Sequence, residues 1–562
     1  MPYMKRSLLL TRNTPERVEL DTTIGPWPYP QRIEYYDDFY YINRETFRFK
    51  IVNNSQLFNC DILLNAISRY NDLIFNNFTL RNNLRLKELH SLEIYVKGGC
   101  EQWPRLDMDE SYTLDLLQKN LLSSRSVWGA LRGLETFSQL IDKNFIINKT
   151  YIEDFPRFAH RGLLVDTARH YMPMSILLRN LDAMAYNKLN VFHWHIVDDN
   201  SFPFVSKLFP QLSDKGAYNK HTHVYTPENV KTILEYARLR GIRVIVEFDT
   251  PGHTLAWGKG IKDLVLDCSS VSKQYSGLSL KGSGVLQVTK ESTYDFLKKF
   301  FGEIAETFPD EYIHIGGDEV ASECWTNNGQ ENLYQLYMKR FANIIKELRK
   351  KYIVWQEVFE EDLYMHPETI VQVWKSWTQP EEVTRMITER GFRVISSASW
   401  YLDMISYKKD WIDYYKYDPH TFYGNQTQKN LVIGGEACVW SEYIDETNFL
   451  SRTWPRASAV AERLWSSKHV ADSEKASPRF DRFRCLMKER GIPAHPINGP
   501  GFCEHFVLPI SDKWFSEKQQ HNGVVFVYAS KATLTSFLVV CGLLMILLLL
   551  VLRPTIKQLV RK

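Results

Sequence analysis

Two patterns of apolar positions alternate along most of the chain. From Arg157 onward, short apolar runs alternate with longer amphipathic stretches, which is typical of repeated β–α units. The predicted strands are Gly162–Asp166, Val191–Val197, Arg243–Asp249, Tyr312–Gly316, Tyr352–Glu357, Thr369–Trp374, Arg393–Ala398 and Leu431–Glu436. The helices predicted between them are Ser175–Tyr186, Pro227–Arg240, Ser292–Thr307, Leu333–Lys350, Glu381–Arg390 and Arg452–Leu464. Eight such units predict an α/β protein with a (β/α)8 barrel over residues 156–505. A doubly wound open sheet is the alternative, but its Gly-rich phosphate loop is absent.

The first 155 residues have a different pattern. Residues 1–30 form an irregular leader that contains prolines. Residues 31–155 combine alternating stretches, Phe47–Val52 and Leu92–Val96, with helical ones, Ile62–Phe75 and Val127–Asp142. This mixture predicts a small α+β domain that precedes the barrel.

The C-terminus predicts a membrane anchor. Residues Ala532–Leu552 carry no charge over 21 positions, a length that spans a bilayer as a helix. Basic residues follow at Arg553, Lys557, Arg561 and Lys562. The positive-inside rule therefore predicts a cytosolic tail at 553–562, a juxtamembrane linker at 506–531, and the preceding body of the chain on the lumenal or extracellular side.

The N-terminus disagrees with that topology. Residues Met1–Asp21 do not form a recognisable signal peptide. We expect the authentic N-terminus to lie upstream of Met1 or to have been replaced in this sequence. The alternative is a tail-anchored protein whose body lies in the cytosol.

Charge and cysteine content narrow the function class. The net charge is +3 and no basic stretch stands out before the C-terminus, so nucleic-acid binding has no electrostatic support. His193 and His195 flank a tryptophan, but no metal-ligand spacing follows, and no metal or cofactor is predicted. The eight cysteines form no CxxC pair, and sequons occur at Asn53, Asn77, Asn148 and Asn425. Together these features favour an oxidising, secretory compartment.

Polar or aromatic residues lie at or just beyond the end of every predicted barrel strand, where the active sites of such barrels lie. They are Asp166 and Arg169; His195, Asp198 and Asp199; Glu247, Asp249 and His253; Asp318 and Glu319; Trp355 and Glu357; Trp374; Trp400, Tyr401 and Asp403; and Glu436, Trp440 and Glu442. Solvated strand ends do not explain all eight sets, so a catalytic site is predicted here.

The Asp318–Glu319 pair is the strongest candidate for the chemistry. Adjacent acidic residues are usually a solvated turn, but this pair follows an apolar strand and a Gly-Gly that permits close approach of backbone and substrate. Breaking a glycosidic bond requires a carboxylic acid to protonate the leaving oxygen and a group to stabilise an oxocarbenium-like centre. Two carboxyl groups with separated pKa values can supply both.

Seven motifs resemble family 20 glycoside hydrolases, and among these the lysosomal β-hexosaminidase type. They are HRGLLVDTARHYMP (His160–Pro173), NKLNVFHWHIVDDNSFP (Asn187–Pro203), EFDTPGH (Glu247–His253), HIGGDEV (His314–Val320), VWQEVF (Val354–Phe359), SASWYLD (Ser397–Asp403) and GGEACVWSEY (Gly434–Tyr443). The resemblance runs from about Pro156 to His505, and residues 31–155 resemble the N-terminal domain of that family more weakly. It implies exo-acting, retaining removal of terminal β-linked N-acetylhexosamine, in which the acetamido group of the substrate attacks its own C1.

The resemblance also implies residue roles. Glu319 would act as general acid and then as general base, and Asp318 would orient the acetamido group and stabilise the oxazolinium. Tyr401 would hydrogen-bond the acetamido oxygen. The walls of the acetyl pocket would be Trp355, Trp374 and Trp440. The outer hydroxyls of the sugar would be bound by Arg169, Glu442 and Asp198. His253 would support Glu319, and Asp249 would hold Arg169 in place. On physical grounds, apolar walls should raise the pKa of Glu319, and Asp318 should stay ionised.

Two further features follow from the resemblance. The implied disulfides are Cys60–Cys100, Cys268–Cys324 and Cys485–Cys503, which leaves Cys438 as a buried thiol and Cys541 in the membrane helix. The resemblance also implies a homodimer.

Two departures from the family modify the prediction. In the family's subunit for anionic substrates, Tyr-Leu is followed by Asn-Arg, whereas Asp403-Met404 follows Tyr401-Leu402 here. A carboxylate at this position would repel sulfate or sialate, so neutral substrates are predicted. The second departure is the membrane segment, which admits the cell surface as well as the lysosome.

Less specific interpretations remain open for several residues. Trp355 and Trp374 could be ordinary core residues. His253 could be a turn residue, His195 a hydrogen-bonded core histidine and Asp199 a surface residue.

Two other functions of the protein also remain open. One is a catalytically inactive glycan-binding protein, and the other is a retaining glycosidase whose nucleophile is Glu357 or Glu436.

Overall fold

The computed structural model describes residues 22–52, 57–75, 86–268, 284–325, 332–404 and 406–503. The predicted membrane span at 532–552, Cys541, and the sequons at Asn53 and Asn77 lie outside these ranges. Within them, no helix is both long enough and apolar enough to cross a bilayer.

The N-terminal part is a small α+β domain, as predicted. Its seven strands are β1 (Arg32–Tyr41), β2 (Arg48–Ile51), β3 (Lys87–Glu88), β4 (Ser91–Val96), β5 (Tyr112–Asp115), β6 (Leu121–Ser124) and β7 (Ile146–Asp154). They form one mixed sheet in the order β2-β4-β6-β5-β7-β1-β3. Every second residue of β4 is buried, which is the pattern of a sheet covered on one face. The helices α1 (Asp61–Phe75) and α2 (Val127–Leu140) share one apolar core with this sheet.

A closed barrel of eight parallel strands follows, which confirms the predicted (β/α)8 fold. The strands are β8 (His160–Asp166), β9 (Val191–Val197), β10 (Arg243–Phe248), β13 (Tyr312–His314), β14 (Lys351–Trp355), β15 (Ile370–Val373), β16 (Arg393–Ser396) and β17 (Val432–Val439). A separate hairpin contains β11 (Val265–Asp267) and β12 (Gly284–Leu286). Six strands each contribute one side chain to a buried apolar layer inside the barrel: Val191, Ile245, Tyr312, Ile353, Ile370 and Ile395.

The helices surround the barrel. They are α3 (Met174–Tyr186), α4 (Gln211–Gly216), α5 (Pro227–Arg238), α6 (Leu255–Gly260), α7 (Glu291–Thr307), α8 (Leu333–Glu347), α9 (Glu357–Glu360), α10 (Pro380–Glu389), α11 (Trp411–Lys416), α12 (Gln426–Leu431), α13 (Phe449–Thr453), α14 (Arg456–Trp465) and α15 (Ser473–Glu489). The helix predicted at Arg452–Leu464 is therefore wrong in one respect, because α13 and α14 are separate. Pro455 lies between them, and its ring and missing N–H prevent a continuous helix.

Buried ion pairs join the N-terminal domain to the barrel. Glu110, which precedes β5, lies 2.7 Å from Arg161 of β8 and 2.8 Å from Arg132 of α2. Lys188, which precedes β9, lies 2.9 Å from Asp154 of β7. Because Arg161 and Lys188 lie where barrel strands begin, the N-terminal domain covers the end of the barrel that is opposite the predicted site.

Three disulfides cross-link the described chain, and they are the three pairs that the resemblance implies. They join Cys60 to Cys100, Cys268 to Cys324 and Cys485 to Cys503. Cys438 is a buried free thiol.

Candidate active site

The acidic pair lies immediately beyond β13, on a strained turn. Gly316 and Gly317 have φ values of 72° and 94°, and Glu319 itself has a φ of 49°. A Cβ on Gly316 would lie 1.5 Å from Oδ1 of Asp249, so this position requires glycine. The same Asp249 oxygen accepts a hydrogen bond of 3.0 Å from the Gly317 N–H. The turn thus stores backbone strain at the acidic pair, as functional sites often do.

His253 is the point at which the carboxyl groups converge. Its Nε2 lies 3.6 Å from Glu319 Oε2, 3.8 Å from Asp318 Oδ2 and 3.9 Å from Asp249 Oδ2. Its Nδ1 lies 3.2 Å from Asp198 Oδ1. The φ of His253 is also positive, at 54°, so two groups of the site have left-handed backbones.

Burial and mutual repulsion raise the pKa values of two of these carboxyls. Burial raises the pKa of Asp318 to about 6, and the charge of Glu319 contributes to this increase. Burial also raises the pKa of Asp249 well above its usual range, and the charge of Asp318 adds to this. The expectation that Asp318 stays ionised therefore holds only above about pH 6. A cation that develops beside Asp318 would lower its pKa again.

Three tryptophans and a tyrosine form an aromatic pocket. The ring of Trp355 lies 6.4 Å from that of Trp374 and 6.1 Å from that of Trp440, and Trp374 stacks on Tyr401 at 6.2 Å. Trp355 is fully buried, whereas the other three are half-buried. The buried thiol of Cys438 belongs to the same cluster. Strand ends thus bring together the three tryptophans that were predicted as walls of an acetyl pocket and the tyrosine that was predicted to bind the acetamido oxygen.

The polar groups beside this pocket differ in two ways from the prediction. Arg169 contacts Asp166 at 3.0 Å, Asp198 at 2.9 Å and Glu442 at 3.9 Å. Asp166, rather than the predicted Asp249, therefore braces Arg169, because Asp249 lies with the acidic pair. Asp198 is fully buried with its oxygens on other protein groups, so it holds these groups in place instead of facing a ligand.

Asp403 and Glu442 are the more accessible carboxylates. Asp403 is half-buried, and burial raises its pKa to about 6. The side chain of Glu442 is 51% exposed. Met404 is exposed next to Asp403, so this edge of the site presents a carboxylate beside an uncharged side chain.

A buried polar network that the sequence did not reveal fills the barrel interior beneath the pocket. Glu436 is bound by His160 at 2.9 Å, His193 at 2.6 Å and Gln372 at 2.9 Å. Glu247 is bound by His193, His195 and His314, and it accepts a hydrogen bond of 2.8 Å from the Trp355 indole N–H. The only available signal was the polar residues inside otherwise apolar strands, such as the HWH of β9.

The two alternative nucleophiles are both engaged by other groups. Glu436 is fully buried, and His193 and His160 outweigh the effect of that burial and hold its pKa well below the usual range. Glu357 accepts a hydrogen bond of 2.9 Å from the Trp374 indole and lies 3.2 Å from Lys375 Nζ. Burial raises the pKa of Glu357 to about 8, so it is a poor nucleophile at neutral pH.

The remaining predicted residues have simpler positions. Asn425 is exposed at the N-terminus of α12, where its side chain caps the helix, and Asn148 is half-buried in β7. His195 is a buried, hydrogen-bonded histidine. Asp199 is half-buried and accepts hydrogen bonds from the Leu255 and Gly284 N–H groups, so it anchors the chain beside the site.

The site can combine a proton donor with stabilisation of positive charge. Glu319 is half-buried, with a carboxylate oxygen 3.6 Å from His253 Nε2. The charge of Asp318 acts on Tyr401 and on Glu357, which accepts the Trp374 indole hydrogen bond, so the acidic pair lies beside the aromatic pocket. Among the described residues, ligand atoms of Asp249, His253 and Asp318 lie within 4.8 Å of one another, as do those of His193, Glu247 and His314.

Comparisons with known proteins agree on one family. A family profile described as "Glycosyl hydrolase family 20, catalytic domain" matches residues 158–468, and one described as "beta-acetyl hexosaminidase like" matches residues 26–140. The chain is 47% identical to the beta-hexosaminidase subunit beta of Homo sapiens, over 86% of this chain and 90% of that protein. It is 45% identical to the beta-hexosaminidase subunit alpha of Bos taurus, over 85% and 94%. A solved chitobiase structure from Flavobacterium johnsoniae has a TM-score of 0.72 and 28% identity, and covers 84% of this chain and 74% of that one.

Proposed function

Because the chain belongs to glycosyl hydrolase family 20, we propose that Glu319 and Asp318 carry out the reaction of that family here. The protein is a β-N-acetylhexosaminidase, an exo-acting hydrolase that removes terminal N-acetylglucosamine or N-acetylgalactosamine from glycans. Three groups take part in this reaction: these two carboxyl groups and the acetamido group of the substrate.

In the first step, Glu319 donates its proton to the glycosidic oxygen, and the bond from that oxygen to C1 breaks. The acetamido carbonyl oxygen of the same sugar attacks C1 and forms a cyclic oxazolinium. Asp318 orients the acetamido group and stabilises the positive charge on it. In the second step, Glu319 removes a proton from water, the water oxygen attacks C1, and the acetamido group is restored. Two displacements at C1 retain the β configuration.

The observation that carries the proposal is the shared location of the acidic pair and the aromatic pocket. His253 holds Glu319 from the side of Asp198, and Asp318 lies in the same cluster of carboxyls. Trp355, Trp374, Trp440 and Tyr401 supply an apolar enclosure of the kind that an acetyl group requires. A protein that only binds glycans would not need a strained, histidine-supported acid, which disfavours the inactive alternative.

Arg169, Glu442 and Asp403 would bind the outer hydroxyls of the sugar. Arg169 is held over the Trp440 ring at 5.0 Å and is oriented by Asp166 and Asp198. A fixed guanidinium of this kind can donate to two hydroxyls at once. Glu442 and Asp403 offer acceptors at the same edge of the site.

Replacement of Glu319 by Gln tests the proton donor. Because the amide keeps the shape but cannot donate the proton, kcat should fall by about 10²-fold or more while a thiazoline inhibitor still binds. Glu306→Gln, on the exposed face of α7, is the matched control and should be unaffected. Near-normal turnover of Glu319→Gln would contradict the assignment.

Substrate assistance is tested with glucosides. A β-glucoside has a hydroxyl in place of the acetamido group, so its hydrolysis should be very slow, and Asp318→Asn should impair catalysis more than binding of the unreacted sugar. Efficient glucoside hydrolysis would contradict the role of Asp318.

The organisation of the whole chain is proposed from its sequence. We propose an irregular leader at 1–30, an N-terminal domain at 31–155, the catalytic barrel at 156–505, a linker at 506–531 and a membrane helix at 532–552. The body would lie in the lysosomal lumen or outside the cell, with N-glycans and a cytosolic tail, and the protein would form a homodimer.

A further inference from the structure

Glu247 of β10 is the branch point of the buried polar network. Its Oε2 lies 2.6 Å from His195 Nδ1 and 3.0 Å from His193 Nε2. Its Oε1 lies 3.0 Å from His314 Nδ1 and accepts the 2.8 Å hydrogen bond from the Trp355 indole. One fully buried carboxylate thus contacts side chains from three other strands.

The first branch leads from Glu247 to the proton donor. His195 Nε2 lies 2.9 Å from Asp198 Oδ2, and Asp198 Oδ1 lies 3.2 Å from His253 Nδ1. His253 Nε2 in turn lies 3.6 Å from Glu319. Because acceptors lie at both ring nitrogens of His195, the ring donates at both when it is protonated, and this fixes its orientation toward Asp198.

The second branch leads from Glu247 to the aromatic pocket. The indole N–H of Trp355 has Glu247 as its acceptor, and the rings of Trp374 and Trp440 contact Trp355. An indole whose only polar atom is anchored in this way cannot rotate without losing a buried hydrogen bond.

From this connectivity we infer that Glu247 is a positioning residue. It holds the proton donor and the acetyl pocket in fixed positions relative to each other. The inference rests on the proposed function of Glu319. Glutamine replaces one of the two carboxylate oxygens by an amide donor and leaves the other oxygen uncharged. The hydrogen bond that holds the His195 ring is thereby weakened, so Asp198, His253 and Glu319 lose their alignment. The expected loss is therefore largest for reactions that depend on proton donation.

Glu436 supplies a matched control inside the same network. It is also a fully buried glutamate bound by histidines. Its partners are His160, His193 and Gln372. His193 also contacts Glu247, but none of the three lies on the path that runs from Glu247 through His195, Asp198 and His253 to Glu319. A general need for buried charge would therefore affect both glutamates equally.

The test uses kcat/KM of the full chain on two substrates with different leaving groups. Dinitrophenolate leaves without a proton, whereas the second sugar of N,N'-diacetylchitobiose must be protonated as it leaves. Glu247→Gln should lower kcat/KM for the disaccharide about tenfold more than for the aryl substrate, since general acid catalysis is worth about 10²–10⁴-fold. Glu436→Gln should lower both in the same proportion.

Two more variants separate the branches and guard against misfolding. Trp355→Phe removes only the indole donor and should affect both substrates equally, because both require the acetamido group. If Glu247→Gln does not fold, as judged by thermal unfolding, His195→Gln interrupts the same path and should discriminate between the leaving groups in the same way.

Equal loss on both substrates in the folded variant would overturn the inference. Glu319→Gln is measured in parallel and should discriminate most strongly. If it does not discriminate, the proposed proton donor is wrong; if it does and the Glu247 and His195 variants do not, only the role of Glu247 is wrong.

Discussion

At the scale of single residues, burial sets the charge state of the carboxyls around the site. The pKa of Asp318 and that of Asp403 both rise to about 6, in each case chiefly because of burial. The two groups face different parts of a bound sugar in the proposed function. Asp318 lies with the acetamido pocket, whereas Asp403 lies next to the exposed Met404 at the edge. Their titration should therefore affect chemistry and charge selection separately.

Discrimination against anionic substrates should depend on pH through Asp403. Above about pH 6 this carboxyl is charged and repels a 6-sulfated N-acetylglucosaminide, and below it the carboxyl is neutral and the repulsion weakens. The ratio of kcat/KM for the neutral substrate to that for the sulfated one should thus fall as the pH falls through 6. Asp403→Asn should give a ratio that no longer changes with pH, and Met404→Arg should narrow it, most at low salt. A ratio that is constant with pH in the unmodified protein would contradict this role.

At the scale of elements, the loop that follows β13 is held at both ends. The Gly316–Gly317 turn fixes its beginning, and the Cys268–Cys324 disulfide fixes its end, five residues beyond Glu319. Cys60–Cys100 joins the start of α1 to the loop after β4 in the N-terminal domain. Cys268–Cys324 therefore restrains the loop that contains Glu319, whereas Cys60–Cys100 restrains the N-terminal domain.

Removal of each disulfide should separate activity from stability. Each bridge is worth about 2–4 kcal/mol, so both double Cys→Ser variants should unfold at a lower temperature. Only the variant that lacks Cys268–Cys324 should also lose activity at 25 °C, by about tenfold in kcat, because small misplacement of a catalytic group is costly. Thermal unfolding and steady-state kinetics measure the two effects. Equal kcat in both variants would show that the bridge does not position Glu319.

At the scale of the whole molecule, the proposed membrane anchor would decide on which side of a membrane the site works. The proposed anchor at 532–552 is followed by four basic residues, which favours a cytosolic tail. Asn425 is exposed at the first residue before α12, whereas Asn148 is half-buried in a strand. A glycan is therefore easier to accommodate at Asn425.

Glycan analysis and protease protection should reveal the orientation. Endoglycosidase treatment should increase the gel mobility of the cellular protein, and Asn425→Gln should remove one step of that shift. In sealed vesicles, the barrel should resist protease until detergent is added. A protein without glycans that is digested from the cytosolic side would instead be tail-anchored in the cytosol.

The sequence predicted local periodicity and the ends of strands well, because both depend on neighbouring residues. All eight barrel strands formed where apolar runs ended in polar residues. The break at Pro455 was missed, since the amphipathic pattern continues across it. The brace on Arg169 and the branches from Glu247 were also missed. Such contacts depend on which strands become neighbours in the closed barrel, and this is not encoded in the spacing along the chain.

The ion pairs between the two domains bear on how this protein can change over evolutionary time. Arg161 and Lys188 belong to the barrel, but their counter-charges, Glu110 and Asp154, are encoded about 50 and 35 codons upstream. A buried charge without its partner costs about 3–5 kcal/mol. Recombination that exchanged only the N-terminal domain would therefore leave Arg161 and Lys188 buried without their carboxylate partners. The two gene segments are expected to be inherited together, with catalytic novelty arising by substitution at the open face of the barrel.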